Sequence, residues 1–447
     1  MRVYNITDYG ALESNATVWI QKAIDACFQD GGGVVEIPSG VWNLGSIRLR
    51  SGITLHLLED AVLNGSRNPD DYCILHEDAL EPVPEEQMTE AVWTPASQRT
   101  NIDFCVKYGS RWNHAIIRAL YAENIGIIGE KGSMICGNNC YDENGEEHYR
   151  GPHGITFSSC KNITLKGYVT KDTGNWAHNI QDSENIQIQN VICLAGHDGV
   201  HFTDCKNITV CDCEFYTGDD CVAGISNLNV YVDHCIMNTA CSALRFGGTN
   251  VIVRNSRIFG PARYLFRGSL TREEKIQGTE NRDVTTHRYN MLSAFTYYSD
   301  FTRTIPVQPS HILMEDCEID HADRLVHYNF SGNEPWQKNK PLADITLRNL
   351  KVQGLGMPLN LYGDSECPIH FTAINVSIAI REDFTSNALI HLCHYDQIRF
   401  KNVSVEGDLK YLIKRWSEDG DIDTSGVTCQ VEKPIEKADE PFFAKAI

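Results

Sequence analysis

Two aspartates, Asp219 and Asp220, stand side by side after Gly218, and a third, Asp198, precedes them by 21 and 22 residues. Carboxyl groups held close do acid–base chemistry because like charges resist joint ionisation. One keeps its proton near neutral pH while another stays ionised. Cleavage of a glycosidic bond uses such a set. An acid protonates the leaving oxygen and a base activates water, and in the inverting reaction the two carboxyls stand about 6.5–9.5 Å apart. Alone, an Asp-Asp pair reads as a solvated turn or a calcium site. The third carboxyl turns the reading towards catalysis, provided the chain brings it alongside.

The chain repeats at nearly that spacing. A turn ending in Asn, followed by alternating apolar residues, recurs with its asparagines at 162, 185, 207, 229 and 250, so the steps are 23, 22, 22 and 21. A fixed period of this size marks a repeat architecture, and the period-two stretches read as strands. Asn tolerates the left-handed turn conformation, and stacked asparagines can form a hydrogen-bonded ladder. A parallel β-helix meets these conditions and sets Asp198 and Asp220 on adjacent rungs, about 4.8 Å apart. Weaker copies occur at 123–128, 311–314, 344–347 and 397–400, with projecting loops expected about 261–305 and 321–340. Thr17 to Cys27 has helical spacing and predicts a capping helix with a Thr or Asn cap. The expected organisation is one β-helix domain over 1–447, with a cap about 1–45, coils about 46–410 and a tail about 411–447, of which the part after about residue 430 wraps the outside. Adjacent strand residues face opposite sides, so Asp219 and Asp220 reach one substrate only if the backbone bends, which Gly218 allows.

Other candidates surround the aspartates. His201 follows Asp198 by three, Trp176 and His178 lie one coil earlier, and Arg245 and Arg267 lie beyond. They are read as substrate-binding: Trp176 for stacking on a sugar ring, the arginines for a carboxylate or hydroxyls. The ordinary alternatives are a core tryptophan, a satisfied strand-edge histidine and surface ion pairs. Phe295, Tyr297, Tyr298, Phe301 and Trp336 are loop-packing aromatics or walls of a cleft. Cys211-x-Cys213 and His391-x-x-His394 lack a matching second pair, so no metal is expected, and no nucleotide fingerprint suggests a cofactor.

Composition narrows the partners. The 447 residues are 42% hydrophobic and carry 39 basic against 59 acidic residues, a net charge of −20. Without a basic stripe, nucleic acid is an unsuitable partner. No apolar run of about 18 residues predicts a membrane span. The opening residues lack the features of a signal peptide, which sets the expectation of a cytoplasmic protein. Seventeen cysteines fall largely in strand segments, such as Cys193, Cys211, Cys213, Cys221 and Cys235, where the residue acts as a small hydrophobe.

From about residue 5 to 410 the chain resembles glycoside hydrolase family 28, the polygalacturonases and their relatives. The resemblance rests on Asp8-Tyr9-Gly10-Ala11, Ala23-Ile24-Asp25-Ala26-Cys27, Gly31-Gly32-Gly33-Val34-Val35, Ile37-Pro38-Ser39-Gly40 and Gly218-Asp219-Asp220. It implies a right-handed parallel β-helix and hydrolysis with inversion. Asp219 would be the acid, with Asp198 and Asp220 holding the attacking water. The family's Asn-Thr-Asp-Gly falls on Gly196-His197-Asp198-Gly199, with only the Asp and Gly kept. Its Gly-His-Gly falls near Ala240-Cys241-Ser242, where the histidine is missing. Its Arg-Ile-Lys is loosely matched at Tyr264 to Ser269, where Arg267 stands for a basic residue. These departures argue against polygalacturonate more than against glycoside hydrolysis. The expectation is an exo-acting hydrolase of oligosaccharides from pectin or another complex glycan. The alternatives are a polygalacturonase in the strict sense, a calcium-dependent β-helix lyase and a non-catalytic carbohydrate-binding solenoid.

Overall fold

The Asn-led segments form strands, and each pairs in parallel with its copy one coil away. Ile163, Ile186, Ile208, Val230 and Val251 stack in register. The column runs back to Ile125 and on to Ile312, Ile345, Phe371 and Ile398. All are buried, each contributing about 1.5–3 kcal/mol relative to exposure. Parallel strands joined by crossovers wind right-handed, so the chain is a right-handed parallel β-helix built around one continuous core. This computed structural model describes residues 2–73, 111–145, 150–277, 286–299, 307–330 and 340–442.

The asparagine ladder is present. Asn162, Asn185, Asn207, Asn229 and Asn250 hold φ between 55° and 59°. Each donates its side-chain N–H to the Oδ1 of the asparagine one coil before, Asn124 starting the series, at 2.9–3.1 Å. A left-handed residue costs other side chains about 1–2 kcal/mol. Asn avoids part of that cost and gains a partner above and below.

The helix Thr17–Gln29 buries Ile20, Ala23, Ile24 and Cys27 against the first coils. Its cap position is Ala16, which has no side-chain capping bond. The Thr17 hydroxyl instead accepts the Gly45 N–H at 2.9 Å, tying the helix to the first coil. At its far end Gly31 and Gly32 take φ of 92° and 95°, and the Gly32 N–H returns to the Cys27 carbonyl at 2.9 Å. That is the left-handed helix stop for which glycine is suited.

The coils extend further than the sequence suggests. Val3–Asn5 pairs with Gly33–Ile37, which pairs with Ile53–Leu57. At the other end Tyr411–Arg415 pairs with Ala388–Cys393, and Lys433–Lys437 continues the ladder. The segment to Lys437 is therefore solenoid, not an external wrap. Backbone bonding in a ladder does not require a fully apolar strand, and Ile413 over Ile435 is enough to keep the register. The expected loops also shrink, because Met291–Tyr297 and Ala322–Asn329 are ladder strands. Cys27, Cys193, Cys205, Cys213, Cys221 and Cys235 form no disulfide. Cys193, Cys213, Cys221 and Cys235 are buried, while Cys211 is partly exposed. No described helix is long and apolar enough to cross a membrane.

Candidate active site

One turn recurs in each coil just ahead of a strand. His178, Val200, Val222 and Leu244 stand in register. Two positions earlier, Trp176, Asp198, Asp220 and Ser242 form a stack. Its ladder bonds run from Ala177 N–H to the Asp198 carbonyl at 2.9 Å, from Gly199 N–H to Asp220 at 2.9 Å and from Cys221 N–H to Ser242 at 3.1 Å. One position further back lie Asn175, His197, Asp219 and Cys241. Asp198 and Asp220 thus sit on adjacent rungs, with Asp219 beside them.

The expected bend at Gly218 and Asp219 is observed. Thr217 Oγ1 donates to the Asp219 carbonyl at 2.7 Å, Thr239 Oγ1 donates to the same oxygen, and the Asp220 N–H reaches Asp219 Oδ1 at 3.2 Å. A Cβ on Gly218 would meet the Leu265 carbonyl oxygen at 2.4 Å and that of Gly196 at 2.8 Å. Close backbone approach therefore demands glycine there.

Each carboxyl has its own surroundings. Asp219 Oδ2 lies 3.2 Å from Arg150 Nη2 and 3.9 Å from His197 Nδ1. Asp220 Oδ1 accepts the Ser242 N–H at 2.9 Å, and its Oδ2 is 3.8 Å from Arg245 Nη1. The Arg245 guanidinium lies over the Tyr298 ring at 4.0 Å, a cation–π contact. Asp198 Oδ2 shares a proton with His201 Nδ1 at 2.9 Å. The His201 ring stacks on Trp176 at 3.7 Å and 8°.

All three carboxyls are buried, at 4%, 8% and 1% exposure for Asp198, Asp219 and Asp220, and burial penalises their charged forms. Burial, with repulsion from Asp219 and Asp220, lifts Asp198 well above the usual carboxylate range. Burial and then the Asp219 charge push Asp220 up to about 6. At Asp219 burial acts upward too, but His197 and the Arg150 charge outweigh it and hold the carboxyl below its usual range. Burial keeps His197 and His201 neutral, so the permanent charge against Asp219 is Arg150. Two guanidiniums face three carboxyls, and one retained proton balances the cluster. The retained proton lies on the Asp198 and Asp220 side. The expectation that a neighbouring carboxylate raises Asp219 is thus reversed in the free protein, because Arg150 crosses from an earlier coil to reach it.

The substrate-binding expectations divide. Arg245 lies at the triad, with its side chain 26% exposed. His201 lies there too, but it is only 2% exposed and engages Asp198. Trp176 is 2% exposed and stacks on His201, so its ring positions a histidine and is not open to a sugar. His178 is wholly buried, with Nδ1 2.8 Å from the Gly199 carbonyl and Nε2 2.9 Å from the Tyr168 hydroxyl. It occupies the inward column of Val200 and Val222, where no substrate reaches. Arg267 is 7% exposed and donates to the Thr173 carbonyl at 2.6 Å and to Asn139 Oδ1 at 3.0 Å. It straps the loop after Phe259 onto two turns. Phe295 and Tyr297 belong to the core, Tyr298 underlies Arg245, and Phe301 and Trp336 lie outside the described residues.

Two participants escaped the sequence reading, Arg150 and His197. Counting back along the repeat places His197 in the Asp219 column, so that signal was available. The reach of Arg150, past Asn175 Oδ1 at 3.4 Å to Asp219, has no periodic signal. Cys241 stands where the resemblance expects a histidine. Burial pushes its thiol well above the ordinary value, so it offers a neutral S–H, while His197 supplies an imidazole from the coil on the other side. One ligand atom each from Asp219, Asp220 and Cys241 lies within 4.8 Å of the others. Arg150 and Arg245 already bring positive charge against these carboxyls, and hard oxygen-seeking cations do not favour a thiol, so the set fits a divalent ion poorly. His391 and His394 turn to different partners, Tyr362 and Ser386 for the first and Asp419 for the second.

Residues 100–243 match the family model for glycosyl hydrolases family 28. An exo-poly-α-D-galacturonosidase of Dickeya chrysanthemi is 46% identical over 74 residues, 16% of this chain and 12% of that protein. An exopolygalacturonase of Arabidopsis thaliana is 30% identical over 211 residues, 45% of this chain and 44% of the relative. The chain thus spans less than half the length of these curated relatives. The crystal structure of a hyperthermoactive exopolygalacturonase from Thermotoga maritima shares the fold, with a TM-score of 0.60 at 17% identity, covering 91% of this chain and 92% of that one.

Proposed function

We propose that this chain, whose residues 100–243 match the family model for glycosyl hydrolases family 28, is a member of that family and hydrolyses terminal glycosidic bonds of uronate-containing oligosaccharides from pectin. The observation that carries the reading is the convergence of Asp198, Asp219 and Asp220 at one turn with two guanidiniums against them. Arg150 and Arg245 are suited to a sugar carboxylate. The names of the Dickeya and Arabidopsis relatives support attack from a chain end. So does the strap through Arg267, which packs the loop after Phe259 against the turns at Asn139 and Thr173.

In this reading Asp219 protonates the leaving oxygen, and Asp198 and Asp220 hold water and take its proton, giving inversion. A substrate carboxylate arriving at Arg150 offsets the charge that keeps Asp219 ionised. Asp219 then rises in pKa and takes over the proton that the free cluster keeps on its neighbours. After cleavage the proton gained by the base side restores the starting balance. We read the enzyme as one β-helix domain working in the cytoplasm, a reducing compartment that suits a core lined with cysteines.

Asp219→Asn should abolish turnover of oligogalacturonates while circular dichroism and unfolding behaviour stay those of the parent. Normal turnover in that variant removes the proposed acid. Proton NMR of the first-formed anomer reads the stereochemistry. Random mid-chain cutting, or a product absorbing in the ultraviolet as an unsaturated uronate does, overturns exo-hydrolysis.

A further inference from the structure

The polar row that carries Arg245 continues along the same face of the solenoid. Arg245 is in register with Thr296, then His327, Asn360, His391 and Lys414. At about 4.8 Å per rung, Asn360 lies about 14 Å and Lys414 about 24 Å from Arg245. Thr296 and His327, between them, are buried, at 6% and 0% exposure. The face opens again around Asn360 into a cavity of about 860 Å³, a size that ordinarily holds a small ligand.

The lining of this cavity is made for a polar ring. Asn360 is 3% exposed, and its Oδ1 has no hydrogen-bond partner among the described residues. The Trp416 indole N–H is likewise buried and without a described partner. Asn360 offers an acceptor and Trp416 a donor, each costly to leave unmet. Trp416 and Tyr362 meet edge to face at 6.3 Å and form an aromatic wall. His391 fixes that wall by contacts to the Tyr362 hydroxyl at 3.2 Å and Ser386 Oγ at 2.9 Å. Arg324 and Lys414 bring two positive charges, and Glu440, bonded to Lys414, brings one negative charge. An aromatic wall, a donor, an acceptor and two cationic side chains suit a sugar ring bearing a carboxylate.

We propose that this cavity is a second carbohydrate site, separate from the cleavage site, that binds a hexuronic acid residue. A carboxylate is held by Arg324 and Lys414, the ring lies against Trp416, and hydroxyls satisfy Asn360 Oδ1 and the Trp416 N–H. The site does not depend on turnover, so it is tested in the full chain carrying Asp219→Asn and separately from cleavage.

Sodium D-galacturonate titrated calorimetrically into that protein should show a saturable component that D-galactose reproduces at least tenfold more weakly. Lys414→Met and Arg324→Gln should each weaken the component at least tenfold, whereas Arg245→Met should leave it unchanged. The indole N–H cross-peak of Trp416, assigned by Trp416→Phe, should shift on addition of galacturonate. In the background with Asp219 intact, Lys414→Met should cleave short oligogalacturonates at the parental rate. Binding that vanishes with Arg245→Met but survives both Lys414→Met and Arg324→Gln would place all the sugar at the triad and overturn the proposal. Absence of any shift of the Trp416 N–H at saturating galacturonate would do the same, whatever the fate of catalysis.

Discussion

Replacing Asp220 by asparagine should change the way stability depends on pH. The Asp220 carboxyl is raised from 3.8 to about 6, by burial first and then by the Asp219 charge. That is about 2 units, and at 1.36 kcal/mol per unit it corresponds to about 3 kcal/mol. The folded protein binds this proton more tightly than the unfolded chain does. The group therefore costs nothing below about pH 3.8, costs more with each step upward, and costs the full amount above about pH 6. Asn cannot ionise, and its Oδ1 can still accept the Ser242 N–H, which Asp220 receives at 2.9 Å. Its amide would face Arg245 where Asp220 Oδ2 lies at 3.8 Å, a penalty that does not vary with pH. The gain of Asp220→Asn over the parent should thus grow by about 3 kcal/mol between pH 3 and pH 8. Urea unfolding of both proteins at half-unit steps of pH, at constant ionic strength and with refolding checked at each, measures the difference. A difference that stays flat across this window, or one that falls as pH rises, refutes the account of a buried, like-charged carboxyl.

Three other outcomes test the geometry. Arg150→Gln removes the charge that holds Asp219 ionised, so kcat/KM on oligogalacturonate should fall about 10- to 100-fold and the alkaline limb of its pH profile should move upward; an unmoved limb counts against Arg150 as the partner of Asp219. Gly218→Ala should cost most of the activity with the solenoid intact by circular dichroism, since its Cβ would fall 2.4 Å from the Leu265 carbonyl oxygen and must displace the turn that carries Asp219; parental kinetics would show that the turn absorbs the methyl. Asn207→Ala breaks bonds to Asn185 and Asn229 at a residue with φ of 56°, and should lower stability by about 2 kcal/mol in urea unfolding without altering KM.

Much of the protein was legible in the order of its residues. A step of 22 residues from Asn185 to Asn207 and again to Asn229 fixed the stacking, because a repeated turn residue with one left-handed conformation leaves each strand only one neighbour in register. The same step placed Asp198 over Asp220, and Gly218 marked the bend that turns Asp219 alongside. It also held information that went unread. His178 falls in the column of Val200, Val222 and Leu244, all inward-facing, which already assigns it to the core. Counting back from those residues sets His197 beside Asp219.

Tertiary structure decided what the period leaves open. Arg150 comes from outside the repeat and lies against Asp219 only because a long side chain spans neighbouring coils. Trp176 turns onto His201 and away from solvent because the coil around it is packed closed. These contacts settle where the proton of the carboxyl cluster resides. A repeat dictates which backbones are neighbours, but charge and burial are sums over everything nearby, including loops that obey no period, so the protonation of the site belongs to the folded molecule.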